Sequence, residues 1–285
     1  MIAYLDNAAT TPVSPEAAQA AYNAMTTDFG NPSTQYPLGK AAKKVLDGHR
    51  KAVADALGCK PAEVVFTSCG TESDNWALRL GAQKNRRKGR HIITTAFEHS
   101  AILQTCHEME SEGWDVTYLM PDRQGQISLD DLQAALRPDT ALVSVMMVNN
   151  ELGSIYPIAD IAKGLKAVNE KTLLHTDAVQ GFLKVPFSAK ALGADFIAIS
   201  GHKIGAPKGI GALYIGPRVR NPRPLLPGGG QEMGLRSGTE ATAQIAGFAK
   251  AVELRWDHLE DKLHHMAEVK AYAVEKLTAI PDLQI

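Results

Sequence analysis

Short apolar, β-rich runs alternate along this chain with stretches of helical periodicity. Runs at residues 63–67, 91–95, 115–119, 141–148, 172–176, 195–200 and 212–215 read as strands. Helical patterns lie between them near 39–57, 73–85, 100–112, 129–136 and 158–170. Several strand runs are apolar almost throughout, as expected of strands covered on both faces. Alternation of this kind predicts an α/β fold: a mostly parallel sheet with helices on both faces. No fixed repeat period interrupts it. Residues 239–279 carry apolar positions at helical spacing and read as one long, mainly helical tail.

Composition narrows the classes of function. A length of 285 residues suits two domains or one large α/β domain. Thirty basic residues against 31 acidic ones give a formal net charge of -1. No global field therefore favours nucleic acid or an anionic membrane, and neither is expected as a partner. The basic cluster at 84–90 reads as a solvated helix end. Cys59, Cys69 and Cys106 are an odd, small number, which argues against a disulfide framework and for a reducing compartment, and no pair has C-x-x-C metal spacing. The N-terminus lacks the basic and apolar regions of a signal peptide. The apolar run 141–148 falls far short of the roughly 20 residues of a membrane span. A soluble, cytoplasmic protein is expected.

In open parallel sheets, ligands bind beyond the carboxyl ends of the strands. Five expected strands are followed by polar clusters. These are Ser68 to Ser73, Glu98-His99-Ser100, Asn149-Asn150-Glu151, Asp177 with Gln180, and Ser200-Gly201-His202-Lys203. The turn around Gly70, Thr71 and Ser73 opens a helix, so backbone N–H groups and hydroxyls there suit a phosphate. It also reads as an ordinary helix cap. It lacks the G-x-x-x-x-G-K-[ST] pattern of a nucleoside triphosphate site. Asp177 and Lys203 alone read as an ion pair. Combined with an anion site, they are what a pyridoxal phosphate enzyme needs: a lysine for covalent attachment and an acid to keep the pyridine nitrogen protonated. His99 alone reads as a structural histidine, yet at a strand end it can stack on a flat ring and shuttle protons.

With these residues assembled, the chain resembles the class V aminotransferases, and within them the cysteine desulfurases of the nitrogen-fixation and iron–sulfur-assembly type. The matching segments are YLDNAATT (4–11), FGNPST (29–34), FTSCGTESDN (66–75), EHSA (98–101), NNELG (149–153), HTDAVQ (175–180), SGHKIGAPKG (200–209) and GGGQEMGLRSGT (228–239). They follow the family's order. The resemblance implies the fold-type I architecture of pyridoxal-phosphate-dependent transferases. It implies that Lys203 holds the cofactor and acts with His99 in catalysis, and that Asp177 pairs with the pyridine nitrogen. Gln180 and Asn150 would meet the phenolic oxygen, with His99 stacked on the ring. Gly70, Thr71, Ser200 and His202 would bind the phosphate. Thr239 would reach a neighbouring subunit's phosphate in a homodimer. The implied reaction takes L-cysteine to L-alanine and persulfide sulfur, passed to an iron–sulfur scaffold or another acceptor protein.

Three segments are expected: 1–14 on the small-domain side, 15–258 as the cofactor-binding large domain, and 259–285 as the start of a C-terminal small domain that is truncated. Tyr36 stands where relatives carry a histidine. None of the three cysteines matches the family's loop nucleophile, and the substrate-gripping arginine also finds no match. Impaired activity of the 285-residue chain is therefore expected. The alternatives are another class V lyase or transaminase, or a catalytically incompetent cofactor-binding dimerisation fragment.

Overall fold

The computed structural model describes residues 3–283. Its sheet contains β1 (Val64–Thr67), β2 (His91–Thr95), β3 (Asp115–Leu119), β4 (Thr140–Ser144), β5 (Leu173–Asp177), β6 (Phe196–Ser200) and β7 (Gly211–Ile215). The spatial order is β1-β7-β6-β5-β4-β2-β3. Pairs β2–β3, β2–β4, β4–β5 and β5–β6 are parallel. Strand β7 runs antiparallel to both β6 and β1. With β7 alone reversed, the carboxyl ends of the other six described strands share one sheet edge.

Both sheet faces are buried. Phe66, Val143, Leu174 and Ile197 point into one core cluster, while their neighbours Val65, Leu142, Leu173 and Phe196 point into a second. This is the two-residue side-chain period of a strand acting on apolar positions of both parities. It explains the nearly continuous apolar runs. Strand β3 sits at the sheet edge and is only partly covered. Helix α3 (Gly70–Asn85) lies across the second face, so close that a Cβ on Gly81 would sit 2.9 Å from Leu142 Cδ1.

Several boundaries differ from expectation. Strand β4 stops at Ser144, although residues 145–148 are as apolar as the strand. Val145, Met146 and Met147 are buried, and the N–H groups of Val145 and Met147 still donate to the β5 carbonyls of His175 and Asp177. Burial continues past the regular ladder, so hydrophobicity overshoots the strand. Helix α1 (Pro15–Thr26) was not expected, although Ser14 Oγ accepts from Ala17 N and Pro15 opens it. Helix α2 (Pro37–Leu57) likewise starts at a proline, two residues early. The other helices are α4 (Ser100–Ser111), α5 (Leu129–Ala135), α6 (Ile158–Val168) and a single turn, α7 (Ala189–Leu192). The expected long tail is two helices, α8 (Thr242–Trp256) and α9 (Leu259–Thr278). Helix α8 packs on α1 and α2, whereas α9 buries no residue. Among the described residues, no helix is long and apolar enough to cross a membrane.

Candidate active site

A cavity of about 550 Å³ opens at the shared carboxyl edge. Nine of the ten expected site residues line it: Gly70, Thr71, His99, Asn150, Asp177, Gln180, Ser200, His202 and Lys203. Thr239 is not among its walls and is exposed.

Its floor is acidic and buried. Asp177 ends β5, and its Oδ1 accepts from Val179 N at 2.8 Å. Burial, reinforced by the nearby Asp74 carboxyl, pushes Asp177 up to about 7. Glu98 Oε1 accepts from Thr95 Oγ1 at 2.7 Å and Met146 N at 2.8 Å, while Oε2 has no partner. Burial raises Glu98 to about 8. Asp74, four residues into α3 from Gly70, is held well above the usual carboxylate range by burial. Its Oδ1 lies 3.5 Å from His175 Nε2. Burial lowers His175 to about 4, and its Nδ1 pairs with Ser144 Oγ at 2.9 Å.

The mouth is cationic. Lys203 follows β6 in a tight turn, and its Nζ donates to the carbonyls of Ala8 at 2.6 Å and Ala9 at 2.8 Å. Burial lowers its pKa from the ordinary lysine value, against the opposing pull of Asp177 and Asp6. His202 Nδ1 meets Thr10 Oγ1 at 3.1 Å, and burial with neighbouring lysines keeps this imidazole neutral more readily. His99 caps α4 through Nδ1, which accepts from Ala101 N at 3.1 Å. That bond puts the neutral ring's proton on Nε2, the nitrogen left for a ligand.

These residues fit a flat, phosphorylated, cationic-ring cofactor. Cys69 precedes α3 without a side-chain cap, so the first helical N–H groups remain available to an anion. Gly70 leaves room there: a Cβ would stand 2.8 Å from Val179 Cγ2. A ring cation against Asp177 would favour the ionised carboxylate that burial disfavours. The cavity also has ligand-pocket size.

Several walls were missed from sequence. Asp6, Ala8 and Ala9 bring the N-terminal segment over the cavity. Thr11 holds it there, donating from N and Oγ1 to His202 O and accepting from Gly205 N. Asn149 Oδ1 accepts from Glu151 N and Leu152 N, shaping the loop that presents Asn150. Helical i, i+4 spacing from Gly70 was the available signal for Asp74. Farther out, Arg236 donates to Glu72 Oε1 at 2.9 Å, tying the loop that bears Thr239 to the first turn of α3.

The class-V aminotransferase family model matches residues 3–285. A protein named cysteine desulfurase IscS, from Methanosarcina thermophila, is 46% identical over 278 residues, 98% of this chain and 68% of that protein. A cysteine desulfurase from Trichormus azollae is 45% identical over 285 residues, covering 100% and 70% respectively. A solved NifS-like protein superposes with a TM-score of 0.93 at 39% identity, over 98% of this chain and 76% of its own. A structure described as SspA in complex with cysteine gives a TM-score of 0.82 at 40% identity, over 88% and 72%.

Proposed function

This chain belongs to the class-V aminotransferase family, and from that premise we propose that it is a pyridoxal-phosphate-dependent cysteine desulfurase. It would take L-cysteine to L-alanine and persulfide sulfur for iron–sulfur cluster assembly. The observation that carries this reading is convergence: residues from separate strand ends line one cavity, with Asp177 at its floor and Lys203 at its mouth. The fold is the fold-type I architecture of the family.

When bound, pyridoxal phosphate supplies an electron sink for charge developing at the substrate Cα. Asp177 would hold the ring nitrogen, and the N-terminus of α3 with Thr71, Ser200 and His202 would hold the phosphate. Asn150 and Gln180 would orient the opposite edge. Lys203 Nζ would anchor the cofactor and move the Cα proton, a role suited to an amine whose pKa burial lowers. His99 Nε2–H would face the ring and donate or recover a proton near the substrate thiol. The N-terminal segment would help exclude water.

A thiolate must take up the sulfur. Burial pushes both Cys59 and Cys106 up to about 12, which disfavours their thiolates. Cys69 lines the cavity at the phosphate turn. We assign the nucleophile to none of the three, so the thiolate that takes the sulfur would come from an acceptor protein or an added small-molecule thiol. The exposed Thr239 suits contact with a second subunit, so we read the protein as a cytoplasmic homodimer with composite sites and an acceptor protein for sulfur. Residues 1–14 would lie on the small-domain side, 15–258 would bind cofactor, and 259–285 would begin a C-terminal small domain.

The test is a substrate panel. Protein loaded with pyridoxal phosphate is titrated with L-cysteine, L-serine, L-alanine and L-aspartate while the visible spectrum is recorded. L-cysteine should perturb the spectrum saturably at the lowest concentration, with alanine among the products. Preference for another amino acid, without a response to L-cysteine, would assign a different lyase or transaminase reaction.

A further inference from the structure

Gln180 is held at both ends. Its Nε2 donates to Ala8 O at 2.8 Å, the same carbonyl that Lys203 Nζ meets at 2.6 Å. Its Oε1 accepts from Lys184 Nζ at 3.0 Å. An ammonium only donates, so Lys184 dictates which end of the amide faces it and turns the NH2 toward the cavity side. Ala8 O, which only accepts, selects the same orientation, so Lys184 and Ala8 together decide between two ends of nearly the same shape.

The backbone is arranged to bring Lys184 back to Gln180. Residues 178–185 form consecutive turns, in which Ala178 O accepts from Gly181 N and Phe182 N, and Gly181 O accepts from Lys184 N and Val185 N. Leu183, buried immediately before Lys184, has a φ of 55°. A branched apolar residue in the left-handed region is uncommon and costs free energy. A Cβ on Gly181 would stand 2.4 Å from Met147 Sδ, so the turn is seated tightly against the segment after β4.

Lys184 also sits in an unfavourable electrostatic setting. Burial, with Arg255 and Lys203, lowers it to about 8. An adjoining cavity of about 620 Å³ is lined by Lys184, Arg255 from α8, Lys270 from α9, Lys203 and one acid, Glu151. Among the described residues, its side-chain hydrogen bond is to Gln180 rather than to a carboxylate.

We infer that Lys184 is a positioning residue that acts through Gln180, fixing the amide with its N–H donors toward the cofactor. This rests on the pyridoxal phosphate reading above. A fixed donor at the phenolic oxygen stabilises the less protonated form of the bound cofactor. Freeing the amide therefore raises the pH midpoint of the cofactor's visible transition.

The experiment measures that midpoint in the loaded wild-type chain and in Lys184→Met, Lys184→Arg, Gln180→Ala and the Lys184→Met/Gln180→Ala double variant. Lys184→Gln replaces the methionine variant if the latter does not fold. Lys184→Met should raise the midpoint by roughly 0.5 to 1 unit. Lys184→Arg should stay near wild type. In the Gln180→Ala background, the same lysine change should lose most of its effect. An unchanged midpoint in Lys184→Met overturns the inference, as does a full shift persisting without Gln180, which would mean a direct field effect. Borohydride reduction separates this from failure of the underlying reading. Label on Lys203 with no midpoint shift rejects only the Lys184 role, whereas absence of label on Lys203 rejects the cofactor assignment itself.

Discussion

The floor and mouth of the cavity carry opposite charges but are shaped by the same force. At the floor, burial raises Asp177 to about 7 and holds Asp74 well above its ordinary value, and behind them it raises Glu98 to about 8. At the mouth, burial lowers Lys203 and His202, and in the adjoining cavity it lowers Lys184. Desolvation penalises the charged form of either kind of group, so both ends are pushed toward neutrality. Each end is consequently poised for a ligand group of opposite sign: a ring cation at the acids, and anionic oxygens at the amines and helix N-terminus.

Removing one group from each end would break the comparison most severely. Lys203→Ala should abolish borohydride labelling and reduce turnover by about 10²–10⁴-fold, the usual range for a proton-transferring group. Asp177→Asn keeps the shape but cannot become an anion. Turnover should fall by about 10²-fold, in line with loss of a preorganised electrostatic partner, while label still maps to Lys203. Equal loss of label in both variants would mean that floor and mouth are not separable in function.

Smaller changes sharpen the same contrast. Gly70→Ala places a methyl 2.8 Å from Val179 Cγ2 at the anion end. It should weaken cofactor binding about tenfold, equivalent to about 1.4 kcal/mol, with the floor's titrations unaltered. Equilibrium dialysis checks the affinity.

The remaining effect, of similar size, concerns stability of the cofactor-free chain. Glu98 and Asp177 have folded pKa values above those of unfolded carboxyls. Their contribution is fully present below the unfolded values near 4 and is lost as pH rises through about 7 to 8. His175 has a lowered pKa, so its contribution acts in the other direction, being lost as pH falls from the unfolded value toward about 4. Between roughly pH 6.5 and 8 the acids dominate, and stability should drop by about 1–2 kcal/mol. Glu98→Gln should flatten that slope in urea melts. A slope unchanged by the substitution would place the titration elsewhere.

Much of the mouth was legible in the sequence, while most of the floor was not. Lys203, His202, Ser200 and Gln180 sit in short polar clusters immediately after apolar runs, where strand ends present ligand groups. Asp177 was legible for the same reason. Glu98 was legible only as a member of a polar cluster, and His175 and Asp74 were not singled out, because their significance depends on burial from several elements at once. His175 lies inside β5, Asp74 inside α3, and Glu98 is met by Met146 N from the segment beyond β4. Lys184 looked like an ordinary charged residue, since nothing in its neighbours' composition announces the left-handed Leu183. The parallel sheet followed from the alternation of nearly continuous apolar runs with helical patterns. The overlong fourth strand and the single long tail came from reading hydrophobicity as secondary structure. Residues 145–147 are buried without a regular ladder, and the chain between α8 and α9 breaks at Asp257–His258 without proline or glycine.

The most direct measurement is the location of the covalent cofactor. The chain is loaded with pyridoxal phosphate, reduced with borohydride, digested and mapped by mass spectrometry. A single phosphopyridoxyl adduct on the peptide containing Lys203 is the predicted result. An adduct on Lys184 or any other lysine, or no adduct despite visible cofactor absorbance, would contradict the account.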